Sequence, residues 1–196
     1  MKSRNFVVFG LLLLAIAVSG SSLPFISLSG DKEPEKKMLI VFYSHTGNAR
    51  FIAEIIQAHT GADVFELKPV DPYPEDVGAT IERVGKEREA GFLPPLAGKI
   101  DNFARYDVIF LGSPNWFGSL SLPAQSFLRS YDLSGKTIVP FISFGRGGLQ
   151  NTVEDIKKLA PNATVLPEFS VSRDNVKESQ SDIMQWIKQI EMRLSE

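Results

Sequence analysis

Ser44-His45-Thr46-Gly47-Asn48-Ala49 is the segment of this sequence best equipped to hold a ligand. Gly47 lets the backbone turn tightly, and Ser44 and Thr46 offer hydroxyl donors. A helical pattern starts directly afterwards, so free N–H groups and the positive end of a helix dipole face whatever sits in the turn. That combination reads as an anion cradle, with His45 as a further donor beside it. No lysine lies within the segment, which separates it from a nucleoside-triphosphate loop. Gly135-Lys136-Thr137 resembles the tail of such a loop, but Ser130 stands where that motif needs glycine. Ser44 next to His45 does not make a nucleophile–base pair, because neighbours in a turn rarely aim at each other and no glycine-flanked serine elbow is present.

Two further segments, Ser113–Gly118 and Ser143–Leu149, share this character of Gly, Ser and aromatic residues with few general acids or bases. Such loops suit binding and cofactor tuning better than side-chain catalysis, so no catalytic residue is assigned. The chain has no cysteine, which excludes disulfides, thiolate chemistry and CxxC redox centres. His45 and His59 are its two histidines, which excludes a histidine-rich metal site, and no metal ligand is assigned. His59 reads as a favourable residue near a helix end. Any redox chemistry must therefore come from a bound cofactor.

The elements that would carry these loops can be read from hydrophobic patterning. Met38 to Tyr43 is a continuous apolar run, as expected of a strand buried on both faces. Asn48 to His59 has Phe51, Ile52, Ile55 and Ile56 at helical spacing and stops near Gly61. Asp63 to Leu67 is a second strand, and Pro69 to Pro74 a loop. Glu75 to Ala90 predicts a charged, solvated helix with a partial apolar face at Val77, Ile81 and Val84, not a binding surface. Asp107 to Leu111 and Thr137 to Ser143 are the third and fourth strands. Helices run through Leu122 to Leu128 and through Val153, Ile156 and Leu159. Ala163 to Leu166, reaching towards Val171, supplies a fifth strand, and Asn175 to Leu194 the closing helix. Alternating strands and helices imply an α/β fold: an open, five-stranded parallel sheet with helices on both faces. Ligands of such sheets bind beyond the carboxyl ends of the strands, where all three loops lie.

"IVFYSHTGNARFIAEII" resembles the flavodoxin signature, in which a strand runs into Ser/Thr-x-Thr-Gly-Asn-Thr. "YDVIFLGSPNWFGSL" is similar to that family's first flavin-flanking loop and "LSGKTIVPFISFGRGGL" to its second. Thr152 to Leu166 is similar to a bacterial flavodoxin-like subgroup. The resemblance covers about Met38 to Ile190 and implies strand order 2-1-3-4-5 in a short-chain form, with flavin mononucleotide (FMN) as the cofactor. By this resemblance Ser44, His45, Thr46, Gly47, Asn48 and Ala49 hold the phosphate. Asn115, Trp116, Phe117 and Gly118 line the isoalloxazine ring, and Ser143, Gly145, Arg146, Gly147 and Gly148 face its pyrimidine end. Ala49 departs from the usual threonine, and one hydroxyl lost to a charged acceptor costs about 1.5–3 kcal/mol. Arg146, a cation between glycines, is expected near flavin N1/O2, where charge raises the reduction potential.

The first 29 residues differ in kind. Lys2 and Arg4 precede an apolar run from Phe6 to Val18, followed by Ser19-Gly20-Ser21-Ser22, as in an export signal cleaved near Gly20. Apolar character resumes at Leu23, so residues 6–28 could instead be an uncleaved membrane anchor. Residues 30–37, charged and holding Pro34, read as a linker to a domain over 38–196. An exported or membrane-anchored protein is expected ahead of a cytoplasmic one.

The formal charge of −2, from 21 basic and 23 acidic side chains, comes with no basic run, which argues against nucleic acid. Without Lys2 and Arg4 the basic count is 19 and the charge −4. That modest value suits a small flavin oxidoreductase acting on a quinone or nitro-type acceptor, with NAD(P)H or a redox protein as partner. An electron carrier is the neighbouring reading, though carriers tend to be more acidic. A fold that has lost flavin and serves as a binding or scaffold module is the alternative of another class.

Overall fold

The computed structural model describes residues 36–196. The expected leader and most of the linker lie outside the described residues. Lys36 and Lys37 already belong to the domain: Lys36 Nζ donates to Leu194 O (2.5 Å) and Lys37 N to Asp107 Oδ2 (2.8 Å). No helix among the described residues is long and apolar enough to cross a membrane.

In chain order the elements are β1 (Met38–Phe42), α1 (Asn48–Thr60), β2 (Asp63–Glu66), β3 (Lys68–Pro69) and α2 (Val77–Glu89). Next come β4 (Leu96–Ala97), β5 (Val108–Trp116), β6 (Ser119–Leu120), α3 (Leu122–Ser130) and β7 (Thr137–Phe144). The chain ends with α4 (Thr152–Leu159), β8 (Thr164–Val165), β9 (Phe169–Ser172) and α5 (Gln180–Leu194). The main sheet is parallel in the order β2-β1-β5-β7, with β8 and β9 both on the outer edge of β7. Counted as five principal strands, that is the order 2-1-3-4-5 expected from the sequence.

Alternation along the central strands explains why their sequences are apolar without interruption. Leu39 and Val41 of β1, Ile109 and Leu111 of β5, and Ile138 and Ile142 of β7 pack into one core with residues of α2, α3 and α4. Ile40 and Phe42, Val108 and Phe110, and Val139 and Phe141 point the other way, under α1 and α5. Both faces are covered, so neither can be polar.

Three details depart from the sequence reading. The fifth strand is broken, because Pro167 lacks a ladder donor; β8 pairs with the start of β7 and β9 with its end. Trp186 of α5 closes the gap by donating Nε1–H to Pro167 O (3.1 Å). The expected loop from Pro69 starts with β3, which pairs antiparallel with β4. Finally, β5 runs five residues past Leu111 and turns back through β6, pairing Trp116 with Ser119.

Candidate functional site

Three loops leave the carboxyl ends of β1, β5 and β7 and meet around a cavity of about 330 Å3. His45, Thr46 and Asn48 line one end of it, beside the N-terminus of α1. Gly47 stands at φ 87°, in the left-handed region, with open space where a Cβ would project. Ser44 Oγ accepts from Arg50 N (3.2 Å), so this hydroxyl caps the helix instead of facing the cavity. The N–H groups of Asn48 and Ala49 stand in the first turn, where a helix offers no acceptor. Ala49 itself is buried against the core under α1, so its methyl points away from the loop's open side.

The opposite end is a slot with aromatic and apolar walls. Pro114, Asn115, Trp116 and Phe117 form one wall, and Ser143, Phe144 and Gly145 another. Trp116 is held from behind by Tyr43 and Tyr73, with ring centroids 5.3 and 5.0 Å away and planes near perpendicular. It is thus both a packing residue and a lining residue. Asn115 works mainly as a brace: its Nδ2 donates to Leu149 O (2.8 Å) and Thr152 Oγ1 (2.6 Å), and its Oδ1 accepts from Gly118 N (3.0 Å). The second and third loops are thereby fixed to each other, and Asn151 N adds a bond to Gly118 O (3.2 Å).

Phe117 and Gly118 both have positive φ, 54° and 78°, between the paired Trp116 and Ser119. This is a two-residue hairpin of type I′, which normally favours Asn-Gly. A phenylalanine in its first central position is strained. Arg88 of α2 steadies it, donating to Phe117 O (3.2 Å) with its guanidinium 5.0 Å from the ring centroid. The ring of Phe117 is 52% exposed at the rim of the cavity.

Sequence reasoning missed two contributors. The first turns of α2 supply Val77, Thr80 and Ile81 to the lining, so this helix is a wall of the site and not merely a solvated one. Its position is fixed by Arg83, which donates to Glu87 Oε1 (2.8 Å) and to the carbonyls of Asp71 (3.1 Å) and Pro72 (3.0 Å). Thr80 Oγ1 also lies 3.4 Å from His45 Nε2. The apolar positions in the charged helix were the available signal. The second contributor is Arg173, just past β9, the one arginine or lysine that lines the cavity among the described residues. Its carbonyl accepts from Asn48 Nδ2 (3.4 Å), which places the residue at the anion end. Arg146, Gly147 and Gly148 follow β7 but lie outside the lining, with Arg146 and Gly147 exposed. Of the two arginines, Arg173 lines this cavity and Arg146 does not.

His59 closes no part of the site; its Nε2 lies 3.1 Å from Glu191 on α5. Lys136 sits at the amino end of β7, away from the loops, donating to Tyr106 O (2.6 Å). Both have structural partners.

The cavity joins an anion-accepting end, with helix N–H groups, the Thr46 hydroxyl and Arg173 among its lining, to a slot with aromatic walls. That donor set fits a phosphorylated planar heterocycle such as FMN. Comparison with known proteins agrees. A protein of Bacteroides eggerthii assigned to the flavoproteins superimposes with a TM-score of 0.68 at 26% identity, covering 79% of this chain and 97% of that one. A flavoprotein of Lactobacillus acidophilus solved in complex with FMN has the same fold, with a TM-score of 0.59 at 22% identity over 74% of this chain and 99% of its own. The family model for flavodoxin matches residues 37–190, nearly all of the described domain, and the chain belongs to the flavodoxin family.

Proposed function

We propose that this protein transfers electrons through a non-covalently bound FMN, as a small flavin oxidoreductase. The observation that carries the reading is the single cavity that joins the α1 N-terminus to the aromatic slot between the second and third loops. When bound, FMN supplies the two-electron redox chemistry that no side chain here can supply. The residues of the chain do the rest. Thr46, the N–H groups of Asn48 and Ala49, and Arg173 hold the phosphate. Trp116, braced by two tyrosines, fixes one wall of the ring slot, and Val77 and Ile81 keep water from it. Phe117 at the rim guards the approach of a partner.

The alternative of a flavin-free scaffold module gains little from Ala49, since its buried methyl leaves the loop's backbone donors in place. Reconstitution decides between the two. The purified protein should take up one FMN and turn yellow; failure to bind FMN after reconstitution rejects the redox reading. NAD(P)H consumption measured with and without a quinone then separates a reductase from a carrier, which would show none. We further propose that residues 6–28 direct the domain to or across a membrane, either cleaved or retained as an anchor. Fractionation of the full chain and N-terminal sequencing of the product test this, and a soluble cytoplasmic chain starting at Met1 would reject it.

A further inference from the structure

A second cavity, of about 530 Å3, lies beside the FMN cavity and shares none of its lining residues. Arg88 and Arg129, from the last turns of α2 and α3, both line it. We propose that it binds an organic anion: a phosphate, sulfonate or carboxylate carried on an apolar or aromatic body.

A cation in the last turn of a helix is already favoured by the dipole, which explains each arginine singly. It does not explain why two converge on one cavity that no aspartate or glutamate lines among the described residues. Arg50, Arg83, Arg105 and Arg173 each pair with a carboxylate, whereas Arg88 and Arg129 have no such partner among the described residues. Asp155, which touches the lining residue Ser119, accepts from its Oγ (2.5 Å) and lies 4.0 Å from Lys158. The rest of the lining is mixed: Phe92, 46% exposed, stands with Leu93 and Leu122, and Ser119 and Gln125 add polar groups. Two arginines without a carboxylate partner among the described residues, lining one cavity with an exposed phenyl ring, are complementary to a molecule with a charged end and an apolar body.

Arg88 also connects the two cavities. One of its five N–H donors is given to Phe117 O, which leaves the others for a ligand. An anion held there is seated against the side chain that steadies the second loop. The site goes beyond the FMN reading and does not depend on it.

The test is calorimetric titration of the full chain, saturated with FMN, with adenosine 5′-monophosphate and separately with anthraquinone-2-sulfonate. At least one should bind saturably with one site per chain and weaken as salt is raised. Arg129→Met should lower that affinity about tenfold, the loss of one charge-assisted contact, and Arg129→Glu should lower it further, with FMN content unchanged. Phe92→Ala, which removes an exposed ring, should weaken binding independently. Binding of the nucleotide alone assigns a nucleotide source, and binding of the sulfonate alone an aromatic acid; either supports the site. The proposal is overturned if neither probe saturates below about 1 mM, or if Arg129→Glu and Phe92→Ala both bind as the unmodified protein does.

Discussion

Arg173 and Arg146 stand differently toward the cavity. Arg146 stands among the glycines of a flavin-flanking loop, yet it is exposed outside the cavity, while Arg173 lines the anion end. Arg173→Ala is expected to weaken FMN binding about tenfold, the lower part of the range for a charge-assisted contact, because Asp174 shares its guanidinium at 3.6 Å. Arg146→Ala should leave both the affinity and the reduction potential unchanged; fluorescence titration and potentiometry on the two variants check this. A shifted potential in Arg146→Ala would restore the role expected from the sequence. Phe117 offers a second residue-level test. Its left-handed backbone costs about 1 kcal/mol that asparagine would largely avoid, so Phe117→Asn should hold or raise stability in denaturant. The same substitution removes the ring from the rim and should weaken FMN binding, which separates what this residue does for function from what it costs the fold.

At the scale of elements, the sheet is built around one glycine. Gly112 of β5 lies in register between Phe42 of β1 and Phe141 of β7. A Cβ there would stand 2.2 Å from the Phe141 ring and 2.6 Å from Phe42 Cβ. Both phenyls are buried under α1 and α5 and have no room to retreat. Gly112→Ala should therefore destabilise the protein by about 1–3 kcal/mol, read as a lower denaturation midpoint with an unchanged slope. This row also shows what was legible beforehand. The apolar runs of β1, β5 and β7 mark strands covered on both faces, and the loops at their carboxyl ends mark the site. Less local information was hidden. Val77 and Ile81 sit among charged neighbours, so their pattern predicts a solvated helix, whereas they face a cavity instead of the core. Arg173 follows a strand that Pro167 interrupts, and nothing in its own neighbours marks it as lining. The positive φ of Phe117 runs against the residue's own preference and is imposed by the hairpin and by Arg88, a contact across 29 positions of the chain.

For the whole molecule, the buried phenols set the alkaline limit of stability. Burial raises the phenol of Tyr43 above its ordinary value of 10.0. Burial also raises Tyr73, whose hydroxyl donates to Glu87, and Tyr106, whose hydroxyl donates to Asp63. An unfolded chain ionises these groups near pH 10, while the folded protein keeps them protonated to higher pH. Their contribution to stability is therefore complete below about pH 10 and is lost as pH rises towards the folded values. For Tyr43 the loss approaches about 1.4 kcal/mol per pH unit in that window. Tyr43 is the cleanest probe, since its hydroxyl has no protein hydrogen-bond partner among the described residues, and Tyr43→Phe keeps its packing against Trp116. Stability measured by denaturant at pH 8 should differ little between the two proteins. At pH 11 the variant should be the more stable by about 1.4 kcal/mol, because only the unmodified chain gains an ionised phenolate on unfolding. Equal losses in both proteins between pH 8 and pH 11 would mean that the Tyr43 phenol is ionised as readily in the folded protein as in the unfolded chain. The aromatic brace behind Trp116 would then be wetter than its buried position implies.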